Sequence, residues 1–205
     1  MRQIVLATRN AKKIAELQRI LLAAGLTDVE LAGPELYASL PEIPETGLTF
    51  ADNALIKARA VAAATGLPAV ADDSGLCVTA LNGMPGVLSA RWSGRFGDQP
   101  QGPDRDTANL QLVLDQVADV PDEALGANFT CAAALAHPDG TEHVVEGVVT
   151  GHLVRVPRGT GGFVYDPIFV PEAETRTTAE LSPQEKDAIS HRGRAFRALV
   201  PLLKD

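Results

Sequence analysis

The sequence predicts an α/β fold, and three observations carry that prediction. Short apolar runs alternate with helical patterns in the first third of the chain, as they do in parallel-sheet proteins. Two strand-like runs near the centre flank the turn His137-Pro138-Asp139-Gly140, which is a hairpin pattern. The chain has 205 residues and is 45% hydrophobic, long enough to bury a sizeable core.

The elements follow in order. Ile4-Val5-Leu6-Ala7 reads as a buried strand that breaks at Thr8-Arg9-Asn10-Ala11-Lys12-Lys13. A helix then runs to Gly25 with Ile14, Leu17, Leu21 and Leu22 on its apolar face. A polar loop between a strand and a helix N-terminus suits an anion, because free N–H groups and the helix dipole meet there. Many parallel-sheet proteins have such a loop without a ligand, so the arrangement alone leaves the matter open. Residues 33–48 read as loop, and Thr49 to about Thr65 as a helix with Phe50, Ala54, Ala58, Val61 and Ala62 on one side. The run Leu67-Pro68-Ala69-Val70-Ala71 reads as a second buried strand, ending at Asp72-Asp73-Ser74-Gly75. Adjacent carboxylates in a partly buried place repel. Two readings stay open: a helix cap beside a solvated neighbour, or a divalent-metal site at the sheet's C-terminal edge.

Residues 82–108 carry little regular pattern, and a stretch of that length in a compact protein is usually functional or mobile. Asn109 to Val120 reads as a helix with Leu110, Val113, Leu114 and Val117 inward. Phe129–Ala136 and Glu142–Val154 are the hairpin strands, suggesting a second lobe of antiparallel character. The last third opens on the flexible turn Arg158-Gly159-Thr160-Gly161-Gly162, leading into Phe163-Val164-Tyr165-Asp166-Pro167, where Phe163 and Val164 suit a strand. Ser182-Pro183-Gln184-Glu185 forms a capping box that opens a helix through Ile189. Ser190-His191-Arg192-Gly193 interrupts it, and helix continues through Phe196, Leu199, Val200 and Leu203. With no repeat and no clear linker, residues 1–205 are expected to form a single domain of two lobes.

Composition excludes several function classes. The formal charge is −8, with 18 Lys and Arg scattered among 26 Asp and Glu, which argues against a nucleic-acid polymer as partner. A small phosphorylated ligand remains compatible, since a few cations and a metal ion can offset its charge locally. No apolar run reaches the length of a membrane span, and the N-terminus lacks a signal peptide. Cys77 and Cys131, each inside an apolar run, are expected to be buried reduced thiols. These features place the chain in the cytoplasm.

Six blocks then carry a resemblance. Thr8 to Lys13, Glu45-Thr46-Gly47-Leu48-Thr49-Phe50, Ala71-Asp72-Asp73-Ser74-Gly75-Leu76, Ser89-Ala90-Arg91, Gly159 to Asp166 and Ser190-His191-Arg192-Gly193 occur in one order and spacing. The chain thereby resembles the Ham1/RdgB-like inosine triphosphate pyrophosphatases from Ile4 to about Leu203. That resemblance implies a two-lobed α/β fold with a long central mixed β-sheet flanked by helices, a nucleotide-binding cleft between the lobes, and a homodimer. It implies a Mg²⁺-dependent hydrolase that cleaves non-standard purine nucleoside triphosphates to the monophosphate and pyrophosphate. Thr8, Arg9, Asn10, Ala11, Lys12 and Lys13 match the segment that holds the phosphates. Glu45 and Asp73 match the metal carboxylates, and Asp73 also the proton acceptor. Lys57 and Ser74 match triphosphate and substrate contacts. Phe163, Val164, Tyr165 and Asp166 match the base-binding segment, and Lys186, His191 and Arg192 the remaining nucleotide contacts.

The chain departs from the pattern at three positions, where Arg9, Lys12 and Val164 replace glycines common among relatives. The first two add positive charge to a phosphate loop and are compatible with it if neither needs a positive φ. The chemistry would use Mg²⁺ on Glu45 and Asp73, assisted by Lys13, Lys57 and Lys186, to neutralise charge, with Asp73 as base. A 6-oxopurine offers an acceptor at O6 and a donor at N1, and adenine the reverse. His191 and Arg192 would suit O6, Asp166 would suit N1–H, and Phe163 would stack on the ring. Two other readings compete: a Maf-type pyrophosphatase, and a nucleotide-binding regulator without catalysis. His137, His143 and His152 have no context that assigns a role, and Trp92 fits either a cleft or a dimer contact.

Overall fold

The computed structural model describes residues 2–26, 29–94 and 103–204. Its elements are β1 (Arg2–Leu6), α1 (Ala11–Ala23), β2 (Val29–Ala32), α2 (Phe50–Thr65), β3 (Ala69–Val78), α3 (Pro103–Gln116), β4 (Gly126–Ala136), β5 (Glu142–Leu153), β6 (Phe169–Pro171), α4 (Pro183–Ile189) and α5 (His191–Leu199). Short 3₁₀ helices join several of them. The six strands form one sheet in the order β2-β1-β3-β4-β5-β6. β1 pairs parallel with β2 and with β3, while β5 and β6 are antiparallel, so the sheet is mixed as expected. The chain divides into two compact units, and β3, β4 and β5 contribute residues to both.

The first unit comprises Met1–Asp73, Cys131–Val148 and Ile189–Asp205. Its strands are buried on both faces, and their alternation sorts side chains into two cores. Ile4, Leu6, Val70, Cys131, Ala133 and Leu135 point to one face, where they meet Leu17, Ile20 and Leu21 of α1 and Ala195, Phe196 and Leu199 of α5. Val5, Ala7, Ala69, Ala71, Ala132, Ala134 and Ala136 point to the other, against Ala54, Ala58, Val61 and Ala62 of α2. Alanine meets alanine across that second interface, so helix and sheet backbones approach closely. The apolar face of α2 is the one the sequence predicts. In α1, however, Leu22 is 58% exposed and Ile20 takes the inward place. Thr49 caps α2 with a reciprocal bond to Asp52, which starts the helix one residue after the cap.

The second unit comprises Ser74–Thr130 and Val149–Ala188. Its core gathers Leu76, Val78, Val113, Val117, Leu125, Leu153, Ile168 and Phe169, with Phe129 and Phe169 edge-to-face at 4.8 Å. Arg155 donates to the carbonyls of Val117, Ala118 and Val120 and so finishes the chain beyond α3.

Four expectations are corrected. β3 does not end before Asp72 but runs through it to Val78. α3 begins at Pro103 rather than Asn109, so the irregular segment is shorter than its composition suggests, and its residues 95–102 lie outside the described residues. The hairpin tip, Cys131–Val148, belongs to the first unit rather than building a lobe of its own. Phe163 and Val164 lie in a turn that leads to the 3₁₀ helix Asp166–Ile168, not in a strand. Both cysteines are free, and burial pushes each thiol above its ordinary value. Among the described residues, no helix is long and apolar enough to cross a membrane.

The alanine interface yields a test of the packing. Ala134→Leu puts three heavy atoms where α2 and the sheet already touch, and it should destabilise by about 1–3 kcal/mol in urea unfolding. An unchanged midpoint would mean that α2 can move away at little cost.

Candidate active site

Strand β3 organises the polar residues of the first unit. Because side chains alternate along a strand, Asp72 follows Val70 onto the α1/α5 face and Asp73 follows Ala71 onto the α2 face. The repulsion expected of adjacent carboxylates is thereby relieved, since each has its own surroundings.

Asp72 is 4% exposed, and its Oδ2 accepts from Lys13 Nζ at 3.3 Å and Arg192 Nε at 3.1 Å. The other side of the Arg192 guanidinium reaches Glu16 Oε2 at 2.7 Å, and both ends of that pair are buried. Burial acts to raise the Asp72 carboxyl, but the charges of Lys13 and Arg192 outweigh it and hold it well below the usual range. Arg192 is therefore a strut joining α5, β3 and α1. Its Nε and NH1 meet carboxylates of its own chain, a use that the expectation of a purine contact did not include. Glu16 escaped the sequence reading because it sits one residue before Leu17 in a helix whose polar positions read as solvated.

Asp73 has a different setting. Its Oδ2 accepts from Asn53 Nδ2 at 3.0 Å, and its Oδ1 lies 3.6 Å from Lys57 Nζ. Lys57 Nζ donates at the same time to Glu45 Oε1 at 2.6 Å, so the Glu45 and Asp73 carboxylates converge on one point. Burial raises the Asp73 carboxyl, Lys57 opposes the rise, and the nearby Glu45 charge adds to it; the net result is a carboxyl above its ordinary value. Burial works against the charge of Lys57, yet Asp73, Glu45 and Asp72 together keep its ammonium more basic than usual.

The loop from Thr8 to Lys13 leads into α1. Asn10 caps the helix through Oδ1, which accepts from the Lys13 N–H, and its own N–H reaches Thr8 Oγ1. Ala11 is exposed at the first helical position, and no acidic residue occupies the first turn, which suits an anion. Arg9 donates to the carbonyls of Leu40 and Tyr37 and lies over the Tyr37 ring. Tyr37 in turn donates to the carbonyls of Leu6 and Thr8. Neither Arg9 nor Lys12 has a positive φ, so the loop needs glycine at neither position. The Lys12 side chain lies outside the described residues. Ser190 caps α5 by accepting from the Gly193 N–H, and His191, 7% exposed, opens that helix.

The second unit holds the remaining group, centred on Asp166. This residue is 2% exposed, and three donors fill its carboxylate. Thr178 Oγ1 donates to Oδ1 at 2.6 Å; Lys186 Nζ, at 2.6 Å, and the Phe163 N–H both donate to Oδ2. Lys186 Nζ also lies 5.0 Å from the centre of the Phe163 ring. Gly162, at φ +81°, passes so close that a Cβ would collide with the Asp166 carboxylate, which accounts for the glycine there. Asp166 thus anchors Lys186 and Phe163, a use that the expectation of a contact to N1–H did not include. Lys186 belongs with this group. Tyr165 is 3% exposed and donates to the Ser89 carbonyl at 2.8 Å, while Val164 packs on the core of this unit. Ser74, half-buried, continues β3 as the first residue of the second unit. Trp92 packs on that unit's core and donates to Gln116.

Among the described residues, no three His, Cys, Asp or Glu side chains gather closely enough to enclose a metal. Glu45 and Asp73 nevertheless fit a Mg²⁺ ion, which binds through one or two carboxylates and completes its shell with water and substrate phosphate.

The match to known proteins is extensive. The model of the Ham1 family matches residues 4–202. A dITP/XTP pyrophosphatase of Streptomyces coelicolor is 62% identical over 205 residues, covering 100% of this chain and 98% of that protein. One from Mycobacterium tuberculosis strain H37Rv is 56% identical, covering 98% of this chain and 95% of its own. Among solved structures, a HAM1 protein from Coxiella burnetii has a TM-score of 0.86 at 43% identity, covering 100% of this chain and 99% of that one.

The contrast between the two aspartates predicts opposite effects on stability. The folded-state carboxyl of Asp72 lies below its unfolded value of about 3.9, so it stabilises the fold above that pH and the gain fades as pH falls. That of Asp73 lies above its unfolded value, so at neutral pH its charge opposes folding. Asp72→Asn should cost about 3–5 kcal/mol at pH 7, since it leaves Arg192 short of a buried partner. Asp73→Asn should cost nothing or stabilise slightly. Urea unfolding of both variants checks this, and equal losses would refute the division of labour.

Proposed function

The chain belongs to the Ham1 family, and we propose that it hydrolyses non-standard purine nucleoside triphosphates to the monophosphate and pyrophosphate. The substrates in this reading are the triphosphates of inosine, deoxyinosine and xanthosine, and the cellular role is cleansing of the nucleotide pool. The names of relatives at 56–62% identity support the substrate class. One observation carries the chemistry: Asp73 stands apart from Asp72, with a raised carboxyl, beside Glu45 and Lys57.

Each residue then has a task. The α1 N-terminus, with Lys13 and the exposed Ala11, receives phosphate oxygens. Lys57 offsets charge on the phosphates and keeps Asp73 and Glu45 from repelling each other. Asp73 orients the attacking water and takes its proton while the water oxygen bonds to phosphorus and the bridging oxygen departs with pyrophosphate. A carboxyl raised above its ordinary value is a stronger base than an ordinary aspartate. Glu45 and Asp73 would hold Mg²⁺, whose contribution when bound is to neutralise charge on the phosphates. In the second unit, Asp166 fixes Lys186 beside Phe163, giving a cationic donor and an aromatic face of the kinds a 6-oxopurine requires. Adenine, with a donor where the oxo group would be, leaves such a donor unpaired, at a cost of about 1–3 kcal/mol. Family resemblance also supports a cytoplasmic setting and a homodimer for this reading.

Pyrophosphate release from inosine triphosphate with Mg²⁺, compared with adenosine, thymidine and 7-methylguanosine triphosphates, tests the proposal. Inosine triphosphate should be hydrolysed far faster than the other three. A preference for thymidine or 7-methylguanosine would favour the Maf-type reading, and binding without release a regulator. Asp73→Asn should lower kcat by at least about 10²-fold in a folded protein. Lys13→Ala should depress kcat/KM for inosine and adenosine triphosphates by similar factors, because it acts on phosphate whatever the base. A base-dependent loss for Lys13→Ala would remove it from the phosphate site.

A further inference from the structure

Asn53 has no role in the chemistry above, yet it is fully buried at 0% exposure on α2. Its carboxamide is used at both ends. Oδ1 accepts from the Gly47 N–H at 2.8 Å, and Nδ2 donates to Asp73 Oδ2 at 3.0 Å. The orientation of the amide is determined by its partners: a backbone N–H only donates and must face oxygen, which leaves nitrogen for the carboxylate. Gly47 is matched to this contact, because a Cβ there would lie 2.8 Å from Asn53 Oδ1 and 2.5 Å from Asp52 Cβ. Glu45 stands two residues before Gly47 on the same loop. One turn further along α2, on the same face, Lys57 touches the same two carboxylates, Glu45 at 2.6 Å and Asp73 at 3.6 Å.

We propose that Asn53 is a positioning residue: without touching substrate, it ties the Glu45 loop to Asp73 and sets how the two carboxylates converge. Lys57 alone cannot do this, since an ammonium on a flexible stem attracts both carboxylates without fixing either in direction. A carboxamide locked at both ends fixes one oxygen of Asp73 and leaves the other to face Lys57. The same amide holds the backbone of the loop so that Glu45 reaches that point. The inference rests on the reading of Glu45 and Asp73 as the metal and water carboxylates.

Asn53→Ala and Gly47→Ala test the two ends of the link. Each should lower kcat for inosine triphosphate by about 10- to 10²-fold, as small displacements of reacting groups do. KM should change by less than about threefold, since Lys13 and the α1 N-terminus are untouched. Mn²⁺ binding, followed by electron paramagnetic resonance without nucleotide, should weaken by about tenfold in both variants. The double variant should lose less than the product of the single losses, because both substitutions break one link. A merely structural Asn53 would lower the Tm while folded protein kept its kcat and its Mn²⁺ affinity, and that result overturns the inference. Multiplicative losses in the double variant overturn it as well. If Asn53→Ala does not fold, Gly47→Ala and Asn53→Ser decide the question by the same measurements. Wild-type protein that releases no pyrophosphate would instead sink the proposed function, and the Mn²⁺ measurement would still judge Asn53.

Discussion

The site in the first unit depends on the two-residue period of one strand. β3 carries Asp72 and Asp73 in succession and continues past them, so the pleat turns the two carboxylates to opposite faces of the sheet. Had the strand ended at Ala71, both acids would share one loop and each would raise the other. Instead Asp72 joins the core face that holds α1 and α5, where Lys13 and Arg192 neutralise it. Asp73 joins the face that holds α2, where Asn53 and Lys57 meet it. One backbone conformation thus makes one aspartate a structural anion and the next a candidate base.

The ion pairs of the α1/α5 face tie that arrangement together. Arg192 bridges Glu16 and Asp72 in a buried row that joins three elements distant in the chain. Buried pairs of this kind gain little net stability against apolar side chains, but losing one member leaves an uncompensated charge, so they penalise misplacement strongly. Specificity of placement is what the phosphate-binding role proposed for the loop of residues 8–13 requires. The loop from Thr8 to Lys13 is held by its Asn10 cap on one side and by Arg9 and Tyr37 on the other. Arg9 and Tyr37 thus hold the loop by side-chain anchoring.

The second unit repeats the principle with a different centre. Asp166 gathers a hydroxyl, an ammonium and a backbone N–H, and through them it orients Lys186 and Phe163 as a pair. In the proposed function its contribution to selectivity is indirect, exerted on the cation and the ring. The same holds for Arg192, whose motif suggests a ligand contact while its guanidinium serves carboxylates of its own chain.

Much of this protein was legible in the residues alone. Apolar alternation and helical spacing located β1, α2, β4 and the paired helices α4 and α5, because each element's pattern arises from its own neighbours in sequence. The six motif blocks point to the family, and the resemblance they carry implies Glu45, Lys57 and Asp73, whose convergence appears only in the fold. Glu16 and Asn53 stayed invisible, since a polar residue on a helix reads the same whether solvated or buried against a distant partner. The commitments of Arg192 and Asp166 were likewise undecided, because a charged side chain's use is set by what packs around it. Which elements form follows from local pattern. Which carboxylate is neutralised, and which partners each amide and each cation meets, were decided only by tertiary packing, because those properties belong to pairs of residues brought together by the sheet.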